Sequence, residues 1–283
     1  MKTILAPTDF SEPSVEAVNY AADMARTMGA QLVILHVCAV PVSFREMSAT
    51  ASVADRWMDY AQSQMTALKS DIEERVQSEV PVVAEVNSGD VVMEIDEACS
   101  RYQPYAVIIS AETMGPIERW LAEAKTLAVE KHLNWPLLVV PAGANFRNIR
   151  RIGVACDLKK VLNNIPAQEI RELVQQFKAK LHILHVCVET DEHISEESIG
   201  EKDWLIDILS DLHPKFHFIF DEEVESGIQA WADTQQLDML ILIPRKQVFP
   251  ASLFRRRRSP RLVMHAHIPA LAVTRTREEN VEI

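Results

Sequence analysis

Residues 3–11 read TILAPTDFS, and residues 151–157 read RIGVACD. Each is a short apolar run that enters a polar turn through an aspartate, Asp9 or Asp157. Downstream of the first, Ser11 and Pro13 make a helix start: a hydroxyl cap, then a proline where its missing N–H is harmless. Val15, Val18, Ala22 and Ala25 continue at helical spacing, and Gly29 stops the helix. QLVILHV at 31–37 is nearly continuous apolar sequence, as expected of a strand covered on both faces.

The same alternation runs onward. A long helix carries Val53, Trp57, Ala61, Met65, Leu68, Ile72 and Val76 on one stripe. A strand is expected at 81–86, and Ser88, Gly89 and Asp90 start a third helix bearing Val91, Ile95, Ala98 and Cys99. A buried strand at 105–109, a helix at 116–132 and a strand at 136–140 complete a β-α-β-α-β-α-β-α-β order. Alternating strands and helices specify a parallel sheet with helices on both faces.

The order then restarts. LVILHV at 32–37 matches LHILHV at 181–186, YAVIIS at 105–110 matches DMLILI at 238–243, and HLNWPLLVV at 132–140 matches HAHIPALAV at 265–273. Three matched segments in one order mark an internal duplication. Domains are expected at 1–142 and 149–275, joined near 142–148 and followed by a polar tail at 276–283. In the second copy, residues 189–203 carry seven carboxylates against one lysine and read as a solvated loop before a short helix at 203–212.

The formal charge of −12 argues against broad binding to nucleic acid or anionic membranes. No apolar run approaches the ~20 residues of a membrane span. Cys38, Cys99, Cys156 and Cys187 form no CxxC pair and read as buried reduced thiols. Without a signal-peptide pattern, a cytoplasmic location is expected. GxSxG, HExxH and Walker A sequences do not occur. His182 and His185 lie three apart on a strand and point to opposite faces, so they do not share a metal. His36 and His185 are repeat equivalents, which suggests a shared packing role. Trp57, Trp120, Trp204 and Trp231 fit apolar stripes and are expected in the core.

ILAPTDFS before a helix, LVILHV, the SGD at 88–90 and HLNWPLLVVP resemble the universal stress protein family in its tandem form. The resemblance implies a doubly wound α/β fold: two five-stranded parallel sheets of order 3-2-1-4-5, flanked by helices and packed as a pseudo-dimer. Some members bind ATP through the strand-one aspartate, backbone at the end of strand two, and a loop G-x2-G-x9-G-[S/T] after strand four. Glycines there let phosphates approach the backbone near a helix start.

Counting back from Pro136 puts the family's loop positions on Ser110, Thr113, Glu123 and Ala124, none of them glycine. Asp9, Ser110 and Thr113 therefore mark a vestigial site in the first domain, with Glu123 repelling phosphate. The same count from Pro269 gives Ile243, Lys246, Arg256 and Arg257. Asp157, Arg245, Lys246, Arg255, Arg256 and Arg257 are the candidate anion or nucleotide site of the second domain, because guanidinium forks hold phosphate without glycine. A solvated basic surface is the competing reading of those charges. No catalytic or metal-ligating residues are assigned. The expected function is a non-catalytic binding or adaptor protein in a stress response. The alternatives are a nucleotide-binding protein with weak hydrolysis at the second site, and a protein–protein scaffold. No cofactor is required; ATP or another phosphate-bearing small molecule is the candidate ligand. Expected partners are the chain itself, as pseudo-dimer or homodimer, and a protein of unknown identity, rather than membrane or nucleic acid.

Overall fold

The structure, a computed structural model, describes residues 1–39, 51–112, 135–158, 161, 165–187, 196–243 and 268–273. The chain divides into two units, Met1–Phe146 and Arg147–Ile283. The helix expected at 116–132, with Trp120, and the polar tail lie outside the described residues.

In the first unit, β1 (Thr3–Pro7) is central. Its run TILAP is apolar after Thr3 because it lies between β2 (Gln31–Ala39) and β4 (Ala106–Ser110); Ile4, Leu5 and Ala6 are fully buried. The α1 helix (Glu12–Met28) starts as its sequence dictates: Ser11 caps it, accepting from the Ser14 N–H, and Pro13 occupies the first turn. Gly29 closes it at φ +62°, a left-handed conformation that a side chain would oppose. Then come α2 (Ala51–Arg75), β3 (Val82–Gly89), α3 (Val91–Tyr102) and, after β4, β5 (Leu137–Val140). Asp90 caps α3, its Oδ1 accepting from the N–H groups of Val92 and Met93 at 2.9 and 3.1 Å. The strands are parallel in the order β3-β2-β1-β4-β5.

The second unit repeats this path. Its elements are β6 (Arg151–Ala155), α4 (Ala167–Phe177), β7 (Lys180–Cys187), α5 (Glu196–Ile208), a 3-10 turn at Ser210–Leu212, β8 (Lys215–Phe220), α6 (Val224–Gln235), β9 (Met239–Leu242) and β10 (Ala270–Ala272). Its parallel order is β8-β7-β6-β9-β10, again 3-2-1-4-5. In both units strand order reverses beside the first strand, and the strand carboxyl ends there form the crevice where such sheets take ligands.

Two expectations are corrected. Trp57 and Trp204 are not core residues; they are 51% and 53% exposed. The stripe on α2 is buried only from Ala61 onward, through Met65, Leu68, Ile72 and Val76, and the side chain of Val53 lies outside the described residues. The acidic segment is also not a plain loop: its second half is helical, since α5 starts at Glu196 rather than near residue 203. That helix remains shorter than its counterpart, 13 residues against 25. Among the described residues, no helix is long and apolar enough to cross a membrane.

Candidate ligand site at the strand carboxyl ends

In the first unit, Thr8 follows β1 and donates its N–H to the Leu35 oxygen at 2.8 Å. Its hydroxyl lies 2.9 Å from the Ser14 hydroxyl and accepts the Phe10 N–H at 3.0 Å. That last bond curls the chain so tightly that Phe10 sits at φ +64°, left-handed territory for a side chain with a Cβ. The Phe10 ring consequently lies on His36, with centroids 4.3 Å apart. The His36 Nδ1 is 2.8 Å from the Thr8 oxygen.

Asp9 is exposed at the same turn, but its Oδ1 already accepts the Ser11 N–H at 3.0 Å and the Ser11 hydroxyl at 2.5 Å. Partial burial opposes its charge, and the hydrogen bonds from Ser11 and Ser14 outweigh that, holding the carboxyl below its ordinary value. Ser110 ends β4 and is buried, its hydroxyl accepting the Glu112 N–H at 3.2 Å. Asp9 and Ser110 thus stand at the carboxyl ends of adjacent strands. Thr113, Glu123 and Ala124 lie outside the described residues.

The second unit builds the same turn from other residues. Cys156 donates its N–H to the Leu184 oxygen at 2.9 Å, and its sulfur accepts the Leu158 N–H at 3.5 Å. Leu158 takes the left-handed position at φ +50° and is fully buried. The His185 Nδ1 is 3.0 Å from the Cys156 oxygen, so the two equivalent histidines make equivalent bonds. Asp157 is exposed beside this turn. Ala155 pairs with Leu242 at the end of β9, so the segment leading to Arg245 and Lys246 leaves from this end of the sheet. The side chains of Arg245, Lys246, Arg255, Arg256 and Arg257, and of the neighbouring Lys159 and Lys160, lie outside the described residues.

One contact here was not foreseen. Glu201, on α5, accepts the Val161 N–H at 2.6 Å, so a carboxylate already occupies a backbone donor just past the turn. Nothing in the spacing of the acidic segment signals which of its carboxylates reaches back. Among the described residues no group of three or more His, Cys, Asp or Glu is placed to hold a metal. No disulfide joins the four cysteines, and burial, with the Asp96 charge, pushes the Cys99 thiol up to about 12, far from a nucleophile's range.

Residues 1–141 match the model of the universal stress protein family. The chain belongs to that family through its first domain. The match ends just short of the first unit's last residue, Phe146, and the second unit repeats the same strand order. Among solved structures, a universal stress protein from Archaeoglobus fulgidus DSM 4304 is 15% identical at a TM-score of 0.68, with 96% of this chain and 98% of that one covered. The cytoplasmic domain of a prokaryotic cation chloride cotransporter is 11% identical at a TM-score of 0.53, covering 99% and 97%. At such identities the likeness is one of fold. No curated protein matches this chain in sequence.

Proposed function

We propose that this universal stress protein is a non-catalytic binding or adaptor module. In this reading the first unit's nucleotide site is degenerate, and the second unit's carboxyl-end loops take a small phosphate-bearing anion. The carrying observation is how Asp9 is spent: its Oδ1 is engaged by the N–H and hydroxyl of Ser11. A strand-one aspartate so engaged has less to offer the donor groups of a nucleotide, and a sequence without the loop glycines denies phosphates close backbone approach. In the second unit the support is the concentration of arginines after β9 together with the exposed Asp157.

Calorimetry of the intact protein with ATP and with inorganic phosphate tests this reading. The expected result is heat of binding that Arg256→Ala removes and Asp9→Asn leaves in place. No heat at millimolar ligand, or loss of binding on Asp9→Asn, overturns the site assignment. Steady release of phosphate from ATP overturns the non-catalytic assignment.

A further inference from the structure

His182 and His217 meet inside the second unit, away from the strand carboxyl ends. His182 is the third residue of β7 and His217 the third of β8, which is the edge strand of its unit. The parallel register sets His182 opposite Lys215 and Leu184 opposite His217. The His182 Nδ1 and His217 Nε2 are 3.0 Å apart, so a single imidazole N–H bridges the rings. Trp231 of α6 covers both, with ring centroids 4.4 Å from His217 and 5.6 Å from His182. His182 is 7% exposed, and its Nε2 has no hydrogen-bond partner.

A neutral pair tolerates this site; a charged one does not. A second proton would go onto a ring held in apolar surroundings, where an uncompensated charge is costly. The charged neighbours offer no relief: Arg151 on β6, Lys180 on β7 and Lys215 on β8 are all cations. On α6 the described carboxylate, Asp233, is exposed, and Asp238 before β9 is spent on the N–H groups of Arg150 and Arg151. The fold does not require this arrangement. At the equivalent places the first unit carries Val33 and Glu85, and Glu85 is bonded by Tyr102 and Arg101.

We propose that the His182–His217 pair is a proton-operated latch, fastening β8 and α6 to the second sheet when neutral and releasing them when protonated. Burial, followed by the charges of His217, Lys215, Arg151 and Lys180, lowers His182 from 6.5 to about 4, and burial with Lys215 lowers His217. The closed state therefore binds protons less readily than the open one. Its stability is complete above pH 6.5 and declines as pH falls towards 4. Across that window the closed-to-open ratio drops by up to about tenfold per pH unit for each histidine that charges on opening.

Hydrogen exchange of the intact protein at pH 7.5 and 5.0, corrected for intrinsic chemistry, tests the latch. Amides of β8 and α6 are expected to open at least tenfold more at pH 5.0, while β6 and β9 stay protected. His182→Val, which installs the first unit's residue, is expected to abolish the difference. Uniform exchange at both pH values, or an undiminished difference in His182→Val, overturns the proposal. If that variant does not fold, NMR titration of labelled histidines decides: two of the nine rings titrating well below 6.5 in step with opening supports the latch, and all titrating near 6.5 overturns it.

Discussion

The Nδ1 of His36 lies 2.8 Å from the backbone oxygen of Thr8, so a side chain from the second strand clasps the turn that follows the first. The bond spans elements 28 residues apart and ends on a carbonyl that the sheet ladder does not use. Removing it with His36→Ala also removes the ring beneath Phe10. The expected loss is about 1–2 kcal/mol of unfolding free energy, read from urea denaturation. His36→Asn places an amide N–H near the same carbonyl and is expected to recover part of it.

Phe10 and Leu158 share a left-handed backbone but differ in burial, and glycine separates the two effects. Phe10→Gly relieves strain and is expected to change stability by less than about 1 kcal/mol. Leu158→Gly forfeits a fully buried side chain and is expected to cost about 2–5 kcal/mol despite the same relief. Comparable losses at the two positions would show that burial is not what distinguishes them.

Gly153 is the middle residue of β6, and a Cβ there would come within 2.5 Å of the Leu237 Cδ1. Gly153→Ala is expected to destabilise by about 1–3 kcal/mol through overpacking. Adding Leu237→Ala makes room for the methyl, so the double variant is expected to lose less than the two single losses combined. A double-mutant cycle in denaturant measures that coupling.

Thiol labelling at pH 8 is expected to pass over Cys99 in the native protein, because burial raises its thiol far above that pH. Peptide mapping should find Cys99 modified only after denaturant is added, whereas the half-exposed Cys156 reacts without it.

Asp9→Asn is expected to narrow its difference from the parent as pH falls. The folded carboxyl titrates below its ordinary 3.8, so its stabilisation is present above that pH and fades through the folded value. Because Asp9 is exposed, the difference at neutral pH should stay below about 1 kcal/mol. Unfolding midpoints at pH 7 and pH 3 check both statements.

The strands were legible because each central one is covered on two faces, which forces runs such as LVILHV and VIIS. The ends of long helices were not. At 25 residues α2 spans about 37 Å, whereas the nine residues of β2 span about 30 Å. The stripe through Trp57 is continuous in sequence, but its first turns run past the sheet they would cover. Asp9 and Asp157 were legible as turn-formers because each follows an apolar run directly. The meeting of His182 and His217 was not, since it depends on the register of two strands 35 residues apart. Nor was the left-handed residue after each aspartate, because phenylalanine and leucine carry no local signature of that conformation.

The Glu201 carboxylate on the Val161 N–H joins α5 to the segment after β6, forty residues earlier in the chain. Moving either piece without the other breaks this charge-assisted hydrogen bond. A phosphate arriving at that donor meets a resident competitor. On the proposed reading of the second unit as an anion site, occupancy of that donor would be set by exchange with Glu201, which ties ligand concentration to the seating of a helix.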